Sequence, residues 1–404
     1  MQQALAAAAI LNVLIWLGLL LGRGGFWRMR ERLDGEIPEL PTWPAVVAVM
    51  PARNEAAVIA RSVASVVTQD YPGPLAVILV DDHSTDGTAD IARAAAQAAG
   101  RPERLAVLRS RPLPQGWTGK LWALSEGLRE AGAREPDAPY VWFTDADIAH
   151  DPTSLRRLVG KAEREGRDLV SLMVLLSCEA FLERLLIPPF VFFFSLLYPF
   201  PYVNDPRRRL GAAAGGCVLL RRAALERAGG LGAIRGRIID DCALGQLVKA
   251  RGRPGGAPVW LGLTRRLRSI RPYEGLQDIW SMVARSAYTQ LRHSPLLLAG
   301  TLAGMVLTYL AGPAALLTYP WHGDGLAAAA GALAWVLMSG AIAPTLRLYR
   351  QPLWFAPLLP VVAVFYSVMT ADSALAHARG RGGAWKGRVQ RSDGREGAAS
   401  EEHA

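Results

Sequence analysis

Two long apolar regions, one at each end of the chain, enclose a middle region in which short apolar runs alternate with amphipathic stretches. At the N-terminal end, residues 4–21 are eighteen uncharged and mostly apolar residues, enough for one helical membrane span. No lysine or arginine precedes this stretch, whereas four arginines follow it between positions 23 and 32. This charge distribution differs from that of a signal peptide. It predicts a membrane anchor, residues 1–22, with the following chain in the cytoplasm.

The middle region, residues 42–274, shows the alternation of strands and helices that is typical of an α/β domain with a mostly parallel sheet. Polar clusters fall at the ends of its apolar runs. Because ligands of such sheets bind beyond the carboxyl ends of the strands, these clusters predict a binding site at that edge. The predicted strands are Ala45–Met50, Leu75–Val80, Leu105–Leu108 and Tyr140–Thr144.

Four further segments complete the predicted organisation. An apolar, aromatic and proline-broken stretch predicts an interfacial or re-entrant piece of the sheet domain. Apolar residues at helical spacing then predict an amphipathic helix at the bilayer surface. Two to three membrane segments and a charged tail, predicted to be disordered, follow. In chain order these segments are residues 185–203, 275–293, 295–371 and 379–404.

The C-terminal apolar region leaves two topologies open. Three spans would put the basic residues of the tail outside, against the positive-inside rule. The last stretch, residues 352–371, contains three prolines, so in the second topology it is re-entrant rather than spanning. Two spans and a re-entrant segment would return the tail to the cytoplasm.

Composition excludes several classes of protein. With 51% hydrophobic residues among 404, the chain can bury enough surface to order itself, so intrinsic disorder is excluded. The formal net charge is +10, but only four residues are lysines and no basic run is interleaved with aromatic residues, so no nucleic-acid partner is expected. The charge fits an anionic membrane surface better. Three widely spaced cysteines predict neither a disulfide framework nor a zinc site.

The first two polar clusters follow the first two predicted strands. Residues 51–55, with sequence PARNE, can present backbone amides and a carboxylate to a ligand, or Asn54 can cap the next helix. In the second cluster, residues 80–88 with sequence VDDHSTDGT, Asp86 is explained as a helix cap. Asp81 and Asp82 are not, because adjacent aspartates after a buried strand are costly to desolvate unless they bind something.

Three more clusters carry charged groups. In GWTGK, residues 116–120, Lys120 stands at a predicted helix N-terminus, where it opposes the helix dipole and favours a phosphate ligand; the spacing is not that of a Walker A loop. In TDAD, residues 144–147, alternate carboxylates at a strand end can hold a hard divalent cation that also bridges a pyrophosphate. In IDD, residues 239–241, the aspartates are either helix caps or include a general base.

The five motifs, in this order over about 190 residues, resemble those of the inverting family 2 glycosyltransferases of GT-A fold. The flanking sequences are similar to those of the bacterial hopene-associated glycosyltransferases along nearly the whole chain. The segments that carry this second resemblance are LIPPFVFFFSLLYPFPYVNDPRRR, GGCVLLRRAALERAGG and RPYEGLQDIWSMVARSAYTQLR.

The resemblance implies a role for each cluster. Asp145 and Asp147 would position Mg²⁺ or Mn²⁺ against the donor diphosphate. Asp241 would be the base that deprotonates the acceptor hydroxyl, beside Asp240, which stands where many relatives have glutamate. The residues implied in nucleotide-sugar binding are Pro51, Ala52, Asn54, Glu55, Asp82, Lys120 and Asp145.

Processive relatives carry the motif Q-x-x-R-W, which residues 289–293 (TQLRH) do not match. This departure argues against polymer synthesis and leaves Gln290 and Arg292 as expected acceptor or phosphate contacts. The resemblance therefore implies a glycosyltransferase of the bacterial inner (cytoplasmic) membrane, multi-pass, with its catalytic domain facing the cytoplasm. It would move a sugar from a UDP-sugar to a lipid acceptor, by resemblance a hopanoid-related one.

Three alternatives remain from the sequence. A nucleotidyltransferase also uses paired aspartates on a similar sheet, but it normally has a glycine-rich phosphate loop after the first strand, and PARNE is not one. A nucleotide-binding membrane scaffold without catalysis would not need Asp241. A polysaccharide or another glycolipid synthase would use the same donor site with a different acceptor.

Overall fold

The computed structural model describes residues 2–37, 39–252, 256, 258–385, 388–389 and 397–398. Two compact units are present. The helical unit comprises Met1–Arg30, Cys178–Pro201 and Tyr273–Gly383. The sheet unit comprises Glu31–Ser177, Tyr202–Pro272 and Ala384–Ala404.

The strands are β1 Val46–Ala52, β2 Leu75–Asp81, β3 Leu105–Arg109, β4 Tyr140–Thr144, β5 Ile148–His150, β6 Leu169–Leu175, β7 Cys217–Arg221, β8 Val259–Ser269, β9 Ala384–Trp385, β10 Arg388–Val389 and β11 Gly397–Ala398. The α-helices are α1 Gln2–Gly22, α2 Ile59–Val67, α3 Thr88–Ala98, α4 Gly119–Arg134, α5 Ser154–Glu165, α6 Phe181–Leu197, α7 Phe200–Asn204, α8 Arg222–Arg227, α9 Asp240–Ala250, α10 Leu276–Gln290, α11 Pro295–Met305, α12 Ala311–Leu317, α13 Tyr319–His322, α14 Gly325–Leu348 and α15 Leu359–Ala378. Short 3₁₀ helices span Phe26–Arg28, Pro102–Arg104, Leu231–Ile234 and Leu353–Leu358, and a π-helical turn spans Val306–Leu310.

The sheet unit is built on one eight-stranded sheet in the order β3-β2-β1-β4-β7-β6-β8-β5. The pairs β1–β2, β2–β3, β1–β4 and β6–β8 are parallel, whereas β7 is antiparallel to both of its neighbours. The predicted mostly parallel sheet and its four predicted strands are thus confirmed. The apolar residues of β1 and β4 are buried on both faces, as expected for central strands covered by helices.

The first strand is longer than the sequence analysis predicts. β1 continues through Pro51 and Ala52, which pair with Val80 and Asp81 of β2, so the turn begins only after Ala52. Proline lacks a backbone donor and is excluded from strands that pair on both sides. It is tolerated at position 51 because the pairing of β1 with β4 ends earlier, at Val49 and Phe143.

The helical unit contains the four long apolar stretches that the sequence predicts. By length and composition, Gln3–Gly22, Pro295–Leu317, Gly325–Leu348 and Leu353–Ala378 are each sufficient to cross a membrane. Near the middle of the second stretch, two carbonyl groups of the π-helical turn accept hydrogen bonds from side chains of α1. Asn12 Nδ2 donates to the carbonyls of Leu307 and Thr308 at 2.6 and 2.9 Å, and Trp16 Nε1 donates to Thr308 at 2.9 Å.

One segment differs from its prediction. The proline-broken stretch 185–203, included above in the sheet domain, lies mainly in α6, which runs through Pro188 and Pro189 and groups with the helical unit. Both prolines are buried, and packing here overrides their low helix propensity. The predicted amphipathic helix is observed as α10, with Ile279 and Val283 buried.

The tail that is predicted to be disordered, residues 379–404, lies largely outside the described residues. Within its described part, β9, β10 and β11 are strands of two residues each that pair antiparallel in one small sheet.

Candidate active site

A cluster of one cation and three carboxylates lies where β4 ends and where α4 and α9 begin. Lys120, in the first turn of α4, places its ammonium 2.8 Å from Asp145 Oδ1, just beyond β4, and 3.6 Å from Asp240 Oδ2, at the start of α9. Burial alone would lower the pKa of Lys120, but the charges of Asp145 and Asp240 raise it above its ordinary value. Lys120 is therefore a fixed positive charge among carboxylates. The sequence-predicted association of these motifs is thus observed.

Asp241 is held in the same cluster by two backbone donors. The amide of Gly215 donates to Asp241 Oδ2 at 2.8 Å, and the amide of Cys242 donates to Oδ1 at 2.7 Å. Burial and the charge of Asp240 raise the pKa of Asp241 to about 6, although Lys120 and the two amides oppose the shift. A carboxylate with this pKa is ionised at neutral pH and is a stronger base than an ordinary aspartate.

Asp147 is bound by a strand that the sequence analysis did not predict. At the end of β8, Ser269 Oγ donates to Asp147 Oδ2 at 3.2 Å, and the Arg271 guanidinium lies 3.5 Å from the same oxygen. Arg271 also forms an ion pair with Glu55, whose side chain is 9% exposed. Burial and the neighbouring charge of Asp145 raise the pKa of Asp147 to about 6. Arg271 thus joins the PARNE segment to the TDAD segment.

The PARNE segment is fixed to the β2–α3 loop. Asn54, in a left-handed conformation with φ 50°, accepts a bond from the Thr85 amide at 2.9 Å and donates its own amide to Ser84 Oγ at 3.0 Å. It does not cap α2, which begins only at Ile59, so the capping interpretation is wrong. Asp86 does accept a bond from the amide of Thr88, the first residue of α3, as predicted.

Asp82, one of the residues implied in nucleotide-sugar binding, is 2% exposed. Ser110 Oγ donates to its Oδ1 at 3.2 Å, and Arg53 lies 3.7 Å from its Oδ2 while also donating to its backbone carbonyl at 2.7 Å. Its orientation is therefore set by neighbours from β1 and from the end of β3.

The cluster encloses a cavity of about 20 Å³, large enough for a water molecule. Ligand pockets for small molecules are usually about 300 Å³ or larger. Leu231 and Ile234 of the third 3₁₀ helix line this cavity together with Lys120, Asp145 and Asp241. This 3₁₀ helix therefore forms one wall of the cavity next to Asp241.

The side chains available to coordinate a metal ion would supply only some of its ligands. Among the described residues, no group of three or more His, Cys, Asp or Glu side chains is arranged to hold a metal. Asp145 and Asp147 are nevertheless close enough for the charge of the first to raise the pKa of the second. Two carboxylates fit Mg²⁺ or a similar cation that takes its remaining ligands from water and substrate phosphates.

Two predicted residues lie in the helical unit. Gln290, at the end of α10, exchanges hydrogen bonds with the Tyr198 hydroxyl at 2.9–3.0 Å. Arg292 follows the helix in a left-handed conformation, with φ 54°. Their expected acceptor or phosphate contacts stay a prediction.

The site contains residues that sequence reasoning missed. Arg271, Ser269, Arg53 and Ser110 follow or end strands, which is the position that marked the other clusters. Arg271 and Ser269 were missed because β8, unlike β1 or β4, was not predicted. The apolar run 259–263 marks only the first half of β8, and Ser269 and Arg271 lie six and eight positions beyond it.

Comparison with known proteins agrees with this geometry. Residues 47–229, which contain four of the five motifs, match the family described as Glycosyl transferase family 2. The chain carries a family 2 glycosyltransferase domain. The predicted enzyme class is thereby confirmed. No match was found among the curated proteins.

A solved structure with a similar overall fold is the mannosyltransferase PcManGT from Pyrobaculum calidifontis, in complex with GDP-Man and Mn²⁺. It is 20% identical, with a TM-score of 0.52, and the match covers 92% of this chain and 99% of that chain. At this identity the likeness establishes the fold, which confirms the predicted GT-A class.

Two other solved structures match less well. Glucosyl-3-phosphoglycerate synthase from Mycobacterium tuberculosis, with Mn²⁺, UDP-Glc and phosphoglyceric acid, is 20% identical over 62% of this chain and 79% of that chain, with a TM-score of 0.36. TarS from S. aureus, with UDP-GlcNAc, is 14% identical over 83% and 92%, with a TM-score of 0.38. TM-scores below 0.5 are too low to infer a shared overall structure.

Proposed function

We propose that the protein transfers one sugar from a nucleoside-diphosphate sugar to a lipid acceptor, with inversion at the anomeric carbon. The observation that carries the proposal is the position of Asp241. It is held by two backbone amides beside Lys120 and Asp145, and these two residues lie within the stretch 47–229 that matches the glycosyl transferase family 2 model. A base, a fixed cation and a carboxylate pair at one sheet edge are the groups that such a transfer needs.

The transfer is a single displacement. Asp241 accepts the proton of the acceptor hydroxyl, and the hydroxyl oxygen forms a bond to the anomeric carbon while the bond to the diphosphate oxygen breaks. The nucleoside diphosphate leaves with the electron pair of that bond. Lys120 stabilises the negative charge that develops on the leaving group, since its ammonium lies within the same cluster.

The donor site is the surface formed by β1, β2 and the segments that follow them. Asp82 and the PARNE segment hold the base and ribose, with UDP-sugars as the first donors to test and GDP-sugars as the second. Asp145 and Asp147 would hold Mg²⁺ or Mn²⁺, which would neutralise charge on the diphosphate. PcManGT was solved with GDP-Man and Mn²⁺, which supports a nucleotide sugar and a metal of this kind.

The acceptor is a membrane lipid, by sequence resemblance a hopanoid-related one. Four apolar helices long enough to cross a membrane support a lipid substrate. Residues 186–209 and 271–292 carry the resemblance to the hopene-associated enzymes. The location that follows is the bacterial cytoplasmic membrane, with the sheet unit on the cytoplasmic side.

We infer a topology with three spans and one re-entrant segment. α12 and α14 are joined by the short helix α13 and pack antiparallel, with Gly312 and Gly331 in close approach. The end of α14 is therefore on the same side as the start of α11. His377, near the end of α15, lies 4.7 Å from His293, two residues before α11, measured between ring centroids. The segment 349–378 thus starts and finishes on one side.

The path of this segment also supports a re-entrant hairpin. Trp335 Nε1 donates to the carbonyl of Pro357 at 3.0 Å, so the 3₁₀ helix Leu353–Leu358 returns along α14 to a level about 20 Å from the end of that helix. α15 then runs back to the side on which the segment begins. This topology puts the basic residues of the tail on the same side as the arginines after α1, as the positive-inside rule expects.

Release of nucleoside diphosphate tests the function. Detergent-purified protein is offered a panel of UDP- and GDP-sugars with bacterial lipid extract, with and without divalent metal. Lipid-dependent release that requires metal and is lost in Asp241→Asn is the expected result. Nucleotide binding without release from any donor would overturn the proposal in favour of a non-catalytic scaffold. Release with soluble saccharide acceptors alone would replace the lipid acceptor by a polysaccharide.

A further inference from the structure

A buried histidine lies directly behind the TDAD segment. His150, at the end of β5, is 6% exposed, and its ring packs edge-on against Trp142 with centroids 4.6 Å apart. Its Nε2 is 2.8 Å from Thr144 Oγ1, and its Nδ1 is buried with no hydrogen-bond partner among the described residues. Its backbone amide donates to Ser65 Oγ at 3.1 Å, which anchors β5 to α2.

The surroundings select one form of this ring. Burial lowers the pKa of His150 to about 3, so the imidazole is neutral and carries a single proton. A proton on Nδ1 would leave a buried N–H without an acceptor, and a buried donor without a partner is rarer and costlier than a bare acceptor nitrogen. The proton therefore belongs on Nε2, which donates to Thr144 Oγ1.

This tautomer fixes the direction of the next hydrogen bond. Since Thr144 Oγ1 accepts from His150, its own proton is free for a backbone carbonyl, and that of Gly216, 3.2 Å away, is nearer than that of Asp145, at 3.4 Å. The residue before it, Gly215, is the one whose amide donates to Asp241 Oδ2 at 2.8 Å. A directed chain thus leads from His150 through Thr144 and the Gly215–Gly216 turn to Asp241.

The Gly215–Gly216 turn is closely packed on both sides, so the amide of Gly215 has little room to shift. A Cβ atom at position 215 would lie 3.0 Å from Lys120 Nζ and 3.4 Å from Asp241 Oδ2, so the backbone itself approaches the charged cluster. On its other side, a Cβ atom at position 216 would lie 3.2 Å from Val174. Small displacements of the turn therefore change the position of the Asp241 carboxylate.

We propose that Thr144 and His150 are positioning residues that hold the Gly215–Gly216 turn, and through it the carboxylate of Asp241, in place for transfer. The inference rests on the proposed function, because it assumes that Asp241 is the base. Neither side chain touches the substrate. Each acts on the rate of the chemical step and not on the binding of the donor, because the chain ends on the base.

Kinetics of matched variants test this role. Thr144→Val removes the hydroxyl with little change in shape, and Thr144→Ser keeps the hydroxyl. His150→Phe keeps an aromatic ring but removes the Nε2–H donor. We expect Thr144→Val and His150→Phe each to lower kcat about tenfold or more, with the donor KM changed less than about twofold. Thr144→Ser should restore kcat to within about threefold of wild type. Thr68→Val, on the exposed end of α2, is the control and should leave kcat unchanged.

The double variant separates a chain from two independent effects. If both residues act through one chain, Thr144→Val combined with His150→Phe should lose no more than the worse single variant. Multiplicative losses would overturn the proposal. So would a Thr144→Ser variant as slow as Thr144→Val, or losses that appear in donor KM instead of kcat.

A measurement that needs no transfer activity tests the chain itself. In protein labelled with ¹⁵N at its six histidines, the two ring nitrogens of His150 should show a neutral ring protonated at Nε2 from about pH 5.5 to 8. Thr144→Val should shift the Nε2 resonance, and Thr68→Val should not. A proton on Nδ1, or titration in this range, would overturn the chain. Absence of sugar transfer by wild type, with the expected tautomer, would instead refute the proposed function alone.

Discussion

Replacement of Asp241 by asparagine is the most direct perturbation of the proposed chemistry, because it keeps the shape of the side chain and removes the base. The size of the expected pH dependence of kcat follows from the pKa of Asp241, which is about 6. With that pKa, the ionised fraction falls from about 0.9 at pH 7 to about 0.1 at pH 5. An ordinary aspartate, with a pKa near 3.9, would stay about 0.9 ionised at pH 5. Wild-type kcat should therefore fall about tenfold over this range.

The assay is the initial rate of nucleoside diphosphate release at saturating donor and lipid, measured from pH 5 to 8. Asp241→Asn should lower kcat by about 100-fold or more, which is the usual contribution of a positioned general base. Its residual rate should show no midpoint near pH 6. Asp90→Asn, on the surface of α3 with a side chain that is 87% exposed, is the matched control and should keep the wild-type profile.

Two results would refute this reasoning. If the residual activity of Asp241→Asn falls with the same midpoint as wild type, another group is titrating and Asp241 is not the base. If the variant loses donor affinity in proportion to its rate, measured by nucleotide titration, Asp241 acts in binding. In the first case the pH dependence would have to be sought in Asp147, whose pKa is also raised to about 6.

Three further predictions concern other parts of the molecule. Lys120→Met removes a charge that lowers the pKa of Asp241, so the midpoint of the pH–rate profile should move above 6. Donor affinity, measured by nucleotide titration, should fall. An unchanged midpoint would contradict the cluster geometry. Arg271→Met leaves Glu55 without this cation. Because Arg271 is partly exposed, we expect the free energy of unfolding to fall by about 1 kcal/mol and the thermal midpoint by about 3 °C. Glu55→Gln in the same protein should partly restore both. For the topology, Trp321→Cys should react with a membrane-impermeant maleimide in intact cells and Arg381→Cys only after permeabilisation; labelling of position 381 from outside would show that α15 crosses the membrane.

The nucleotide-sugar side of the site could be predicted because local sequence carries its information. Apolar runs that are buried on both faces mark β1, β2 and β4, and the residues that follow such strands meet at one sheet edge whatever the details of packing. Asp145 was found in this way, whereas Lys120 and Asp241, which are 121 positions apart in the chain, were identified as charged residues at the starts of predicted helices. Their distances and protonation were not predictable, because these depend on burial and on neighbouring charges.

The sequence alone was enough to predict the alternation of strands and helices, the four apolar stretches and the motifs that mark the enzyme class. These follow from hydrophobic periodicity, length and residue type, which are local properties. Three other features became visible in the folded chain: α6 continues through Pro188 and Pro189, Arg271 reaches Glu55 across 216 positions, and His150 lies behind Thr144. Folding also brought His377 beside His293, a contact that bears on the topology the sequence left open. The physical reason is the same in each case: the deciding interactions join residues far apart in sequence, and their strength depends on burial, which exists only once the chain has folded.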